Sequence, residues 1–290
     1  MEELLTLLTN GLVLSSVYAL LAASLTLIFG VLGLVNFAHG ELYMLGGFAA
    51  YFAIHVFSLD YFTSIVVVAA VMALVGGASY LGVLRPLEGE RNLERGILVT
   101  LGASILLQNG AILIWSAQPR SVSTPYDYQP VDFGPFTIPL LRVITVGIVI
   151  AIFVGLYVLL IWTNFGRSMR AVTQNPRAAA MVGIKTTTVS MYTVAIGVGL
   201  AGAAGAILAP IFTVSPAMGI TVLFKSFAVV IIGGLGSVPG AVIAALLLGV
   251  SESLAGGYGS ATLQDSIAFV AMMAVLFLRP QGLLGREVRI

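Results

Sequence analysis

Lys225, Glu252 and Asp265 fall inside long apolar runs, where an ionised side chain costs a few kcal/mol to insert and therefore marks a functional or a paired position. Read toward the outer ends of their segments, the three could couple an ion to transport. Alternatively Lys225 pairs with Glu252 or extends its stem to the interface, the plainer structural reading. A second group, Asn36, His39 and Glu41, lies at the inner end of the first two apolar segments, where Glu41 suits a helix N-terminus; capping and an inner gate both remain open. A third is the run Gly233–Gly240, with glycines at Gly233, Gly234, Gly236 and Gly240. It is no phosphate cradle: a Walker A loop needs Lys-Ser or Lys-Thr after its last glycine, and Lys225-Ser226 has no glycines before it. The chain has no cysteine and only two histidines, His39 and His55, and His39-Gly40-Glu41 is not a zinc-helix pattern. No two aspartates share apolar segments, as a membrane aspartyl protease would need. The expectation is thus a chain without catalysis of its own, with no cofactor or metal held by it.

The elements that must position these residues follow from composition. Of 290 residues 59% are hydrophobic and 9% charged, with mean hydropathy +1.07. A soluble domain carries about a quarter charged residues, so most of this surface faces lipid. The net charge of +1 and the lack of a basic stripe exclude a nucleic-acid partner. Charge-free runs near the ~20 residues needed to span a bilayer, without strand-like alternation, predict an all-α polytopic helical bundle. Segments are expected near 11–34, 41–58, 61–84, 96–118, 143–163, 188–210, 220–233, 239–256 and 262–278, eight to nine in all, with broken or re-entrant ones near 36–58 and 220–256. The start, Met1-Glu2-Glu3, lacks a basic signal region, so the first segment is expected to stay as a span. Neither long loop, about 119–142 or 164–187, can hold an independent core, which leaves residues 1–290 as one transmembrane domain.

Orientation follows from the basic residues. Ten of the 13 Lys and Arg lie in three groups: Arg85, Arg91 and Arg95; Arg167, Arg170, Arg177 and Lys185; and Arg279, Arg286 and Arg289. Nine segments with the N-terminus outside and the C-terminus inside put all ten in the cytoplasm, leaving Arg120 and Arg142 outside. A single crossing over 220–256 would break that rule, so the glycine run reads as a turn between two short passes or within a re-entrant pair. Stripes at helix-packing spacing, Gly197, Ala201 and Gly205, and Ala241, Ala245 and Gly249, predict close helix contacts.

The inner loop 164–187 contains a helix start and stop: Asn175 as N-cap, Pro176 at the first helical position, Arg177 to Val182 as helix, and Gly183 to close it. Ala178, Ala179, Met181 and Val182 would offer a small apolar face, with Arg167, Arg170 and Lys185 anchoring its ends. An ordinary positive-inside loop would look much the same.

Four stretches in this order resemble one known family. They are Asn36-Phe37-Ala38-His39-Gly40-Glu41-Leu42 with Met44-Leu45-Gly46-Gly47; Arg170-Ala171-Val172 through Asn175-Pro176-Arg177-Ala178-Ala179 to Gly183-Ile184; Gly233–Gly240; and Arg279-Pro280-Gln281-Gly282-Leu283. The chain resembles the permease subunits of bacterial branched-chain amino acid ABC importers, and more narrowly the shorter of their two permeases, from about residue 10 to 285. The resemblance implies a multi-pass protein of the bacterial inner (plasma) membrane. It implies three kinds of partner besides lipid: a second, homologous permease, two cytoplasmic ATPase subunits that use ATP and Mg, and an external substrate-binding protein. It further implies that Arg167–Lys185 is the ATPase-coupling segment and that the substrates are Leu, Ile and Val. Permeases for urea and short amides look similar around Asn36–Gly47, which leaves these and other amino acids as alternative substrates; a self-sufficient ion-coupled transporter is the reading from another class, and a purely structural membrane scaffold is the third.

Overall fold

A computed structural model describes residues 2–88, 93–127, 129–133 and 136–285. Arg91, Arg286 and Arg289, used above in the charge argument, lie outside these residues. The chain runs through α1 (Glu2–Leu32), α2 (His39–His55), α3 (Tyr61–Ser79), α4 (Leu93–Trp115), a hairpin of β1 (Pro130–Phe133) and β2 (Phe136–Pro139), α5 (Leu140–Trp162), α6 (Asn164–Gln174), α7 (Pro176–Met181), α8 (Thr186–Leu208), α9 (Met218–Gly233), α10 (Val238–Tyr258) and α11 (Ala261–Leu278). A π turn over Tyr80–Leu84 and a 3-10 turn over Arg85–Leu87 extend α3. Helices dominate because a chain this apolar must satisfy its backbone within each segment. Polar residues start them: Asp60, Ser237 and Ser260 accept from the amides of Phe62, Gly240 and Leu263. Among the described residues seven helices are long and apolar enough to cross a membrane, and α9, at 16 residues, is a shorter apolar helix. The protein is a polytopic helical membrane bundle.

Burial separates an inner from an outer set. The apolar windows of α1 and α8 are 83% and 72% buried, whereas those of α4 and α5 are 17% buried and that of α11 is 6%. Helix α1 therefore forms the centre, packed on α8, α9 and α10. The glycine stripes permit these contacts. A Cβ on Gly249 would lie 2.5 Å from the Ser15 amide nitrogen, one on Gly197 would lie 2.8 Å from the Ile28 side chain, and one on Gly205 would strike the Tyr43 carbonyl.

One end of the bundle gathers the basic residues. The last turn of α1 meets α6 through Gly30 and Thr173, Gly96 packs on Leu34, and Val238 packs on the cluster that holds Met169 and Ala179. Arg85, Arg95, Arg167, Arg170, Arg177, Lys185 and Arg279 sit on loops and helix ends at this basic end. Arg120 and Arg142 lie at the opposite end, where Arg120 bridges to Val214. The two groups thus separate in space as the loop assignment requires.

Several expectations change in detail. Helix α1 begins near residue 2 rather than 11, because hydropathy registers only its apolar part and passes over the first turns with Glu3, Thr6 and Asn10. The opposite-end loop holds a short antiparallel hairpin, Pro130 pairing with Pro139. The break at Asn36–Glu41 is confined to residues 33–38, and Glu41 lies in the first turn of α2. Helix α9 starts part-way down the bundle: Met218 touches Gly47 at mid-α2, Leu223 meets Gly40, and the Phe227 ring packs at a tilt on Phe37 with centroids 5.3 Å apart, so α9 runs antiparallel to α2 over its inner part. The turn at Gly233–Gly240 is present between α9 and α10.

Candidate functional site

The loop over 164–187 folds into two helices. Thr163 caps α6 by accepting from the Gly166 amide at 3.1 Å, and the same hydroxyl donates back to the Leu159 carbonyl at 2.5 Å, fixing the corner between α5 and α6. Met169 and Val172 bury one face of α6 against Leu27, Leu156 and Val189. Asn175 then caps α7, its Oδ1 accepting from the Ala178 amide at 3.0 Å, with Pro176 following and Gly183 closing the segment at φ +87°. This is the capped short helix the sequence predicts. The preceding helix α6 was not anticipated, although Phe165, Met169 and Val172 already carry its spacing.

What α7 presents differs from expectation at one residue. Ala179 faces inward and is buried, whereas Met181 is 89% and Val182 78% exposed. Met181 ends the six-residue helix and Val182 is its C-cap, so two bare apolar side chains form a tip at the basic end. Arg167 donates to Asn164 Oδ1 and Arg170 donates to the Leu160 carbonyl, so these two brace the corner itself. Arg177 and Lys185 have no side-chain partner among the described residues and stand exposed beside the tip.

Asn36, His39 and Glu41 do not converge on one point. Asn36 Oδ1 accepts from the Ala38 amide at 3.0 Å and shapes the entry to α2. The His39 ring meets Ser24 of α1 at 2.6 Å. Glu41, fully buried, accepts from Ser104 of α4 at 3.2 Å, while its Oε2 points at Gly219 and has no hydrogen-bond partner among the described residues. Here α2 and α9 meet backbone to backbone, because a Cβ on Gly40 would strike the Gly219 carbonyl. The Gly233–Gly240 run has a packing cause. Gly233 and Gly240 touch, Gly234 and Gly236 take φ of +100° and +85°, and Leu283 and Leu284 donate from the C-terminal segment to Ile232 and Gly233. That segment is the Arg279-Pro280-Gln281-Gly282-Leu283 motif, so two motifs distant in sequence form one joint.

Lys225, Glu252 and Asp265 form a single cluster. Lys225 Nζ lies 3.1 Å from Glu252 and 3.0 Å from Asp265, and the Tyr18 hydroxyl donates to Glu252 at 2.7 Å. Lys225 stands half-way along α9, deeper than the outer-end position expected from hydropathy, and reaches its partners from there. Tyr18 was missed, since nothing in a tyrosine within an apolar run signals a carboxylate partner.

Residues 7–276 match the family described as branched-chain amino acid transport system / permease component. The chain belongs to this permease family. It is 30% identical to the high-affinity branched-chain amino acid transport system permease protein BraD of Pseudomonas aeruginosa, over 96% of this chain and 95% of that one. Against the permease protein LivH of Escherichia coli the identity is 30%, with 96% and 94% covered. A probable branched-chain amino acid transport permease protein LivH of Methanocaldococcus jannaschii is 29% identical, with 96% and 92% covered. Among solved structures, PsaBC from Streptococcus pneumoniae in complex with Fab aligns over 94% of this permease and 91% of that chain, at 12% identity and TM-score 0.47.

Proposed function

We propose that this permease is the membrane half of an ATP-driven importer that passes Leu, Ile and Val from an external binding protein to the cytoplasm, alongside a second homologous permease and two ATPase subunits. The observation that carries the reading is the α6–α7 elbow: Met181 and Val182 exposed on a short capped helix beside the unpaired Arg177 and Lys185. An apolar tip with a cationic rim suits an acidic-edged groove. Rigid attachment of α6 to α5 through Thr163 and Arg170 lets a push on α7 reach a membrane helix. The basic end is then cytoplasmic, in the bacterial inner membrane. The α2–α9 crossing at Gly40 and Gly219 is the joint best placed to open and close, with Glu41 on its flank.

The test is leucine uptake into proteoliposomes holding this chain alone, then with its copurifying permease, ATPases, binding protein and internal ATP. Uptake only in the full, ATP-supplied mixture is expected, and Arg177→Glu with Met181→Asp should abolish ATPase association and uptake together. Gradient-driven uptake by the chain alone would instead make it an ion-coupled transporter. Competition by urea but not by valine would move the substrate class to urea and short amides.

A further inference from the structure

At the end opposite α6 and α7, a cavity of about 420 Å³ opens between the outer turns of α1 and α10, the first turn of α5 and the chain that follows α8. This volume is in the range of small-molecule sites, and its wall mixes apolar surface with a few polar groups, as such sites do. Three of those groups, Asn10, Arg142 and Gln264, have no side-chain hydrogen bond or ion pair among the described residues. Arg142 is the informative one. It is partly buried in the first turn of α5, where the helix dipole disfavours a cation, and no carboxylate among the described residues pairs with it. A guanidinium placed so is poised for a planar anion that accepts two hydrogen bonds.

The remainder of the wall adds a second sign and a shape. Gln264 and Ser253 line the cavity, and each is the next residue in the chain to a carboxylate of the Lys225 cluster, Asp265 and Glu252, which holds two carboxylates to one ammonium. Leu14, Ile211 and Phe212 supply the apolar part. We propose that this cavity receives an α-amino acid zwitterion with a branched aliphatic side chain as it leaves the binding protein. Arg142 takes the carboxylate, the amide oxygens of Asn10 and Gln264 accept from the ammonium, and the apolar wall takes the side chain. The assignment rests on the importer reading and adds to it the place and polarity of substrate entry.

The experiment uses the complete transporter with its binding protein and two readouts, leucine uptake and the ATPase rate stimulated by loaded binding protein. Arg142→Gln is expected to lower uptake about tenfold or more, the loss of a charge-assisted contact, with the ATPase rate unchanged. Arg142→Lys should recover part of the loss, and Leu14→Trp, which fills the cavity, should block uptake likewise. On the purified transporter without binding protein, saturation-transfer NMR should detect leucine but not leucinamide, and the leucine signal should vanish in Arg142→Gln. Uptake and ATPase rate falling together in Arg142→Gln would assign the residue to assembly and overturn the proposal. So would an unchanged leucine signal in that variant, or a phospholipid retained in the cavity that leucine does not displace. Silence of the wild-type transporter in uptake would strike the importer reading alone, since the NMR arm reads the cavity independently.

Discussion

Glu252 is fully buried, and its charge is tolerable only because Lys225 and Tyr18 converge on one of its oxygens. Removing one member of a buried pair leaves the other uncompensated, which costs about 3–5 kcal/mol, whereas replacing both can be nearly neutral. Lys225→Met should therefore lower the thermal stability of the detergent-solubilised protein sharply, and Lys225→Met with Glu252→Gln should recover most of it. Equal damage from the single and double variants would mean that the cluster is not a stabilising pair. Asp265, with its side chain 70% exposed, has water or a neighbouring surface to fall back on, and Asp265→Asn should cost under about 1 kcal/mol in the same assay. At this scale the sequence is legible in part. Ionisable residues in apolar runs announce themselves, and Lys225 with Glu252 was one of the pairings open from sequence. The third arm to Asp265 and the Tyr18 hydroxyl depend on helix rotations that no periodicity in an all-apolar helix reveals.

Helices in lipid gain nothing from hiding apolar surface from one another, so their mutual placement rests on close packing at small residues. The α2–α9 crossing shows how little slack this leaves, since Gly40 and Gly219 meet at their backbones, whereas Gly147 on α5 has nothing within 4 Å of where a Cβ would stand. Gly40→Ala should wedge the two helices apart at an overpacking cost of about 1–3 kcal/mol and reduce uptake, while Gly147→Ala should leave both stability and uptake as they were. An unaltered Gly40→Ala transporter would remove the crossing from the list of moving joints. The elbow allows a parallel argument. Asn175→Ala deletes the α7 cap, worth about 1 kcal/mol, and should weaken ATPase association several-fold in a titration while leaving the fold intact. Caps and stops were readable from Asn175-Pro176 and Gly183 because their chemistry is local. The depth at which α9 begins was not, because it is set by the contacts of Met218, Leu223 and Phe227 with α2, far away in sequence.

For the molecule as a whole, the assignment that everything else depends on is which end faces the cytoplasm. The charge groups separate onto opposite ends of the bundle, and basic loops are retained inside during insertion, so the proposed orientation puts α7 in the cytoplasm and the Arg120 loop outside. The sequence supports a direct check, because it contains no cysteine and any introduced thiol is the sole label site. Met181→Cys, at an exposed position on α7, should react with a membrane-impermeant maleimide only in inside-out vesicles, and Ser123→Cys, exposed in the loop after α4, only in right-side-out ones. The reverse pattern would place the elbow where no cytoplasmic ATPase could reach it, and would put the Arg142 cavity on the side to which substrate is delivered rather than the side from which it comes. Adding loaded partners tests the coupling in the same preparation. If α7 docks into an ATPase groove, labelling of Met181→Cys should fall when the ATPases are bound, while Ser123→Cys should stay reactive until the external binding protein is added.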